Sequence, residues 1–157
     1  MMKRRKATYI ITVDTKAIMH KDSNYYRTLI LEGKEEKKSQ ATVLEILNRN
    51  CLDYGASFKG RRETSSYYLH SNNKLPIAVH PAKGIYFFPT ASLTNKDCVW
   101  LAYHHIKRII KSEDKTYVLF HDGTGIYINS SYYTVDNQKK RTSELIVQLN
   151  RDQLFVL

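Results

Sequence analysis

Two spacings of apolar residues alternate along this chain, and together they predict its elements. Ala7 to Val13 alternates and is rich in β-branched residues, which reads as a strand, with Ala17 to His20 as a short partner across a turn at Asp14-Thr15. Tyr25 to Glu32 (YYRTLILE) reads as the next strand, and Gly33 opens a charged run, KEEKK, expected as a solvated loop. The spacing then changes to helical. Thr42 stands three residues before Glu45, where each side chain can satisfy the other's free backbone N–H, and Leu44, Leu47, Cys51 and Tyr54 recur at intervals that make one buried face. Gly55 supplies the left-handed residue that ends such a helix, so the pattern predicts helix 43–54.

The next segments are shorter. Gly60 is expected to permit a tight turn, followed by a short helix from Arg62 to Leu69 with Tyr67, Tyr68 and Leu69 inward and Asn72-Asn73 at its end. Pro76 and Pro81 bound Ile77 to His80, a strand that its prolines place at a sheet edge. Lys83-Gly84 turns into a strand, Ile85 to Phe88, stopped by Pro89. From Val99 the chain is strongly β. Alternation continues through Ile106 to Lys111, and Asp122-Gly123 joins Tyr117–His121 to Gly125–Ile128 as a hairpin, with Val118 and Phe120 on the face of Ile126 and Ile128. Ser130 or Ser131 caps a last helix, 132–149, with Val135, Leu145 and Leu149 inward. The expected class is therefore α+β: an antiparallel β-rich single domain over residues 1–157, with main helices at about 43–54 and 132–149 and a basic arm at Lys3–Lys6.

Composition changes this picture mainly through charge. Lys and Arg number 25 against 15 Asp and Glu, a net charge of +10, and a small basic domain of this kind is expected to meet a polyanion. No run approaches the ~18 apolar residues of a membrane span. The apolar segment after MMKRRKA is shorter than the ~7–15 residues of a secretory core, so a cytoplasmic protein is expected. Cys51 and Cys98 lack metal-knuckle spacing and are expected as buried, reduced thiols.

Three basic clusters carry the candidate chemistry: Lys59/Arg61/Arg62, Lys107/Arg108/Lys111 and Lys139/Lys140/Arg141. Guanidinium forks suit phosphate oxygens, while amides and hydroxyls position a backbone or read base edges. Taken singly, each cluster is more often a solvated face, and only together with the net charge do they point to nucleic acid. The polar loop Thr90 to Asp97, between apolar runs, offers Ser92, Thr94 and Lys96 to a nucleic-acid backbone. His104 and His105 are read on a strand, pointing to opposite faces, where they cannot both chelate one ion. Gly55 to Gly60 has one residue too many for a nucleophile elbow, and no phosphate-binding glycine motif is present. Twelve tyrosines, often doubled, suit either packing or base stacking.

A set of separated motifs makes a resemblance specific. Cys51-x-x-Tyr-Gly-x-Ser-Phe-x-Gly60-Arg61, Pro76-Ile-x-Val-x-Pro81, Phe87-Phe88-Pro89-Thr90-x-Ser92, Cys98-x-Trp100 and Asn137-Gln138-x-x-Arg141-Thr142 occur in that order. In them the chain resembles the competence transcription factor family, ComK, over roughly residues 42–146. The resemblance implies a DNA-binding transcriptional activator of DNA-uptake genes, with no cofactor and no enzymatic activity. It implies binding to paired A/T-rich boxes of double-stranded DNA through the minor groove, as a homodimer that assembles further on DNA. It also implies recognition by an adaptor that delivers the protein to a Clp protease. Arg61, Asn137, Gln138 and Arg141 fall in the family's motifs and are of the types that read a narrow A/T groove. Lys59, Arg62, Lys107, Arg108, Lys139 and Lys140 are added from charge alone. Longer family members carry a tail linked with activation beyond the last helix. From Trp100 to Leu145 the order of elements is also similar to the LytTR-type DNA-binding domain. Two other classes remain open: a metal-dependent nuclease using His104, His105 or Asp122, and an interaction module that binds an acidic protein or regulates a related activator.

Overall fold

Apolar runs buried on both sides build the middle of the molecule, as the computed structural model, which describes residues 8–155, shows. Strands β1 (Thr15–His20), β2 (Thr28–Glu32), β3 (Glu35–Ser39), β4 (Ile77–His80), β5 (Ile85–Pro89) and β6 (Val99–Ala102) form one antiparallel sheet in the order β3-β2-β1-β6-β5-β4. β5 (IYFFP) and β6 (VWLA) are buried at every position, which is why they read as unbroken apolar runs rather than alternating ones. Ile18, Phe87 and Trp100 face helices α1 (Val43–Asp53) and α2 (Phe58–Leu69). Ala17, Phe88 and Leu101 face the opposite way, onto a three-stranded antiparallel sheet, β7 (Ile106–Ser112), β8 (Lys115–Phe120) and β9 (Gly125–Ile128), and onto Val135 of α3 (Tyr132–Leu149). One turn, α4 (Arg151–Leu154), follows. The class is α+β, in three layers with the large sheet in the middle.

The two main helices form where the sequence predicts them. Thr42 and Glu45 make the reciprocal capping box, and Ser131 accepts from Thr134 N at the start of α3. Thr42→Ala is expected to cost about 1 kcal/mol, read as a fall of a few degrees in the thermal midpoint.

Several expectations need correction. Ala7 lies outside the described residues, and residues 8–12 form no strand. Their backbone is satisfied by a side chain instead: Ile11 N donates to Asn50 Oδ1 at 2.8 Å, and Asn50 Nδ2 donates to Tyr9 O at 2.9 Å. KEEKK, apart from Lys34 in the turn, belongs to the edge strand β3 rather than a loop, because β2 supplies a complete register from Thr28↔Ser39 to Glu32↔Glu35. Its charges blunt an edge that would otherwise invite further pairing. In α1 the buried positions are Ile46, Leu47, Asn50 and Cys51, and Leu44 is exposed. α2 is a third helix, starting four residues before Arg62, because Ser57 caps it through Gly60 N. Gly60 therefore sits inside a helix and not in a turn, and Tyr67 points out to solvent. Pro89 ends β5 from within, paired with Trp100. His104 and His105 occupy a 3₁₀ turn, Tyr103–His105, between β6 and β7, and not a strand.

Candidate nucleic-acid interface

Gln138 organises the site. It is 2% exposed on α3, and its Nε2 donates to Pro89 O at 2.7 Å and to Lys74 O at 2.6 Å. Its Oε1 accepts from Arg141 Nη1, whose guanidinium also donates to Lys74 O and, at 2.9 Å, to Asn73 O. One helix thus fixes both the end of β5 and the loop after α2, where Lys74 holds a left-handed φ of 48°. The loop 90–97 is pinned in turn. Val99 N donates to Thr90 Oγ1, Ser130 Oγ donates to Thr90 O at 2.8 Å, and Asn129 donates to Asp97.

Between these walls lies a groove of about 660 Å³. Arg62 comes from α2, Asn72 to Lys74 from the loop after it, Ser92 and Leu93 from the 90–97 loop, and Tyr133, Asn137 and Arg141 from α3. It contains three cations and several amides with no carboxylate among its lining residues. Such a surface attracts an anionic backbone and offers donors to base edges. The groove continues on both sides. Arg62 and Asn72 also line a hollow with Lys59, and Leu93 also lines a cleft with Thr94, Lys96 and Arg27.

The structure therefore brings together Arg62, Ser92, Asn137, Gln138 and Arg141, with Lys59, Thr94 and Lys96 adjoining. Within that group the roles divide. Asn137 is exposed. Gln138 is spent entirely on protein partners, and burial lowers the pKa of Arg141 from its ordinary value. Arg61 points away from the groove, with Nη2 donating to Tyr54 O at 3.1 Å and a buried Nε that has no partner among the described residues. On α3 the run Lys139-Lys140-Arg141 diverges, because successive helical residues stand on different faces. Lys140 pairs with Asp136 at 2.9 Å, and neither it nor Lys139 lines the groove. Lys107 and Arg108 are exposed on β7, also outside it.

Sequence reasoning missed Asn72, Asn73 and Lys74 as part of the site. Their signal was a run of exposed polar residues between a helix and a proline, read only as a helix stop. The residues of the nuclease alternative are engaged elsewhere: His105 Nε2 donates to Val13 O, His104 packs against Tyr86 and Tyr103, and Asp122 is ion-paired to Lys16. Among the described residues no group of three or more His, Cys, Asp or Glu is arranged to hold a metal ion. Both cysteines are free and buried, and burial pushes the Cys51 thiol up to about 11. No helix among the described residues is long and apolar enough to cross a membrane.

The sequence profile of the family described as "ComK protein" matches residues 6–153. The competence transcription factor of Bacillus subtilis (strain 168) is 35% identical over 103 residues, covering 65% of this chain and 54% of that protein. The chain thus spans about half the length of the curated relative it matches. No solved structure matches it.

Proposed function

The chain belongs to the ComK protein family, and from that premise we propose that it is a sequence-specific DNA-binding regulator of competence genes, without catalytic activity of its own. The observation that carries the reading is the acid-free groove of Arg62, Lys74 and Arg141, framed by Asn72, Asn73 and Asn137. Cations and amides are what a narrow, electronegative A/T minor groove selects. The duplex lies across the groove with the 90–97 loop as a ridge against it, and Lys59 and Lys96 reach phosphates on either side. In this reading Gln138 and Arg141 act by holding the loop that presents Lys74, while Arg62, Lys74 and Asn137 touch DNA. Membership of the family further implies paired A/T-rich boxes bound by a homodimer that assembles further, an association with the nucleoid, and delivery by an adaptor to a Clp protease.

The test is a shift assay on A/T-rich and G/C-rich duplexes across a salt series. The expected result is preference for the A/T-rich duplex, with log K falling ~0.9 per phosphate contact for each tenfold rise in salt. Arg62→Ala with Lys74→Ala is expected to weaken binding by tenfold or more and to reduce the salt slope by about 2. Equal affinity for the two duplexes, or an unchanged slope in the double variant, removes the groove from consideration.

A further inference from the structure

The geometry points to the outward face of the three-stranded sheet as a second nucleic-acid surface, one that takes an unpaired strand by stacking its bases on Tyr127 and Tyr117. It goes beyond the proposed function and does not depend on the groove.

The register separates two faces. Ile109, Val118 and Ile126 stand opposite one another on β7, β8 and β9, and with Phe120 and Ile128 they turn toward the core. The alternate positions face away: Ile110, Tyr117 and Tyr127 make one row across the sheet, and Arg108, Leu119 and Gly125 the next. No element among the described residues covers that row at its β9 end, where Tyr127 is 66% exposed. The two tyrosine rings lie 4.9 Å apart between centroids. Tyr117 lies across Gly125, where an added Cβ would meet its hydroxyl oxygen at 2.2 Å, so the glycine is what lets this ring lie down on the sheet.

The rim has the sign of charge that a strand of phosphates needs. Arg108 is in register with Leu119, Lys115 with Ser112, both cations are exposed on the tyrosine face, and neither is in an ion pair among the described residues. Acids stand at the ends of the sheet: Glu113 and Asp114 in the turn between β7 and β8, and Glu35 and Glu36 of β3 beside Gly125 at the start of β9. A duplex shows proteins only base edges, because its base faces are covered by neighbouring bases. Two neighbouring rings inclined at 56° to each other, with cations at their margin, instead suit splayed bases, whose faces are free, with little regard to sequence.

The experiment uses the full chain, a fluorescently labelled 12-mer of thymidine and, separately, a labelled A/T-rich duplex. The wild type is expected to bind the 12-mer, and Tyr127→Leu to bind it about tenfold more weakly, whereas Tyr127→Phe, which keeps the ring, matches the wild type. Arg108→Gln, which removes no ion pair among the described residues, is expected to weaken 12-mer binding and flatten its salt dependence. Duplex affinity stays at the wild-type value in all three, and the thermal midpoint falls by no more than the few degrees that loss of the Tyr117–Tyr127 ring pair accounts for. The proposal is overturned if the wild type does not retain the 12-mer, or if both Tyr127→Leu and Arg108→Gln bind it as tightly as the wild type does. It is equally overturned if sedimentation shows that Tyr127→Leu dissociates a dimer, since a second copy of the chain then covers this face. Loss of duplex preference with 12-mer binding intact counts against the groove and leaves this surface standing.

Discussion

Gln138→Leu is expected to lower the thermal midpoint by about 2–12 °C, while Asn137→Ala, one residue earlier on the same helix, leaves it nearly unchanged. Leucine fills the volume but donates nothing. Pro89 O and Lys74 O then lose the amide that meets them at 2.7 and 2.6 Å, and Arg141 loses its Oε1 partner. Pro89 O is the buried one, and a buried carbonyl left without a donor costs about 1–3 kcal/mol, whereas Lys74 O belongs to an exposed residue and keeps its bond from Arg141. In a domain of this size each kcal/mol moves the midpoint by roughly 2–4 °C. Thermal unfolding followed by circular dichroism reads the difference directly. Asn137→Ala is expected to show its loss in the A/T-rich duplex assay instead. If Gln138→Leu melts with the wild type and fails to bind duplex, the amide is a DNA contact and the anchoring role assigned to it is wrong.

These two adjacent amides show where the sequence was legible and where it was not. The motif Asn137-Gln138-x-x-Arg141 marks both amides equally, and a motif carries no orientation. The helix does: Val135, Gln138, Thr142 and Leu145 recur at 3, 4 and 3, and all four are buried. That stripe is readable in the sequence only when its two polar members are counted with the apolar ones. Arg61 was lost for the same reason, lying between Phe58 and Ser65 on the inward side of α2. Caps, hairpin and the proline-bounded edge strand were legible because each rests on local backbone chemistry. β3 was not, because EEKKS becomes a strand only through the register that β2 supplies. The groove was least legible of all, since its walls come from three segments that only tertiary packing brings together.

Asp122→Asn is expected to destabilise the fold by about 3–5 kcal/mol, and Lys16→Met by distinctly less. Lys16, on β1 of the large sheet, is 3% exposed, and its ammonium reaches Asp122 Oδ2 at 2.8 Å and Thr124 Oγ1 at 2.6 Å in the β8–β9 turn. It also stands 4.8 Å from the centroid of the Phe120 ring. This cation ties the two sheets together. Removing the carboxylate strands a buried ammonium, whereas removing the ammonium leaves a carboxylate that is 26% exposed to water and still accepts from Thr124 N and Oγ1. The costs are therefore unequal, and Asp122→Asn introduced on top of Lys16→Met is expected to add little. Acid reports on the same pair. Burial by itself raises the Asp122 pKa, but the hydrogen bonds from Lys16 and Thr124 outweigh it and hold the carboxyl well below the usual range. A depressed carboxyl contributes stability above its unfolded pKa, about 4, and that contribution is lost as pH falls toward the folded value. Glu32, lowered by Lys37 and Tyr9, shares this dependence, so the informative quantity is the difference between variants. Between pH 5 and pH 3 the midpoint of the wild type is expected to fall further than that of Asp122→Asn. Equal falls, or a larger cost for Lys16→Met at neutral pH, would show that the buried ammonium is satisfied without Asp122 and that the sheets are joined by their apolar contacts alone.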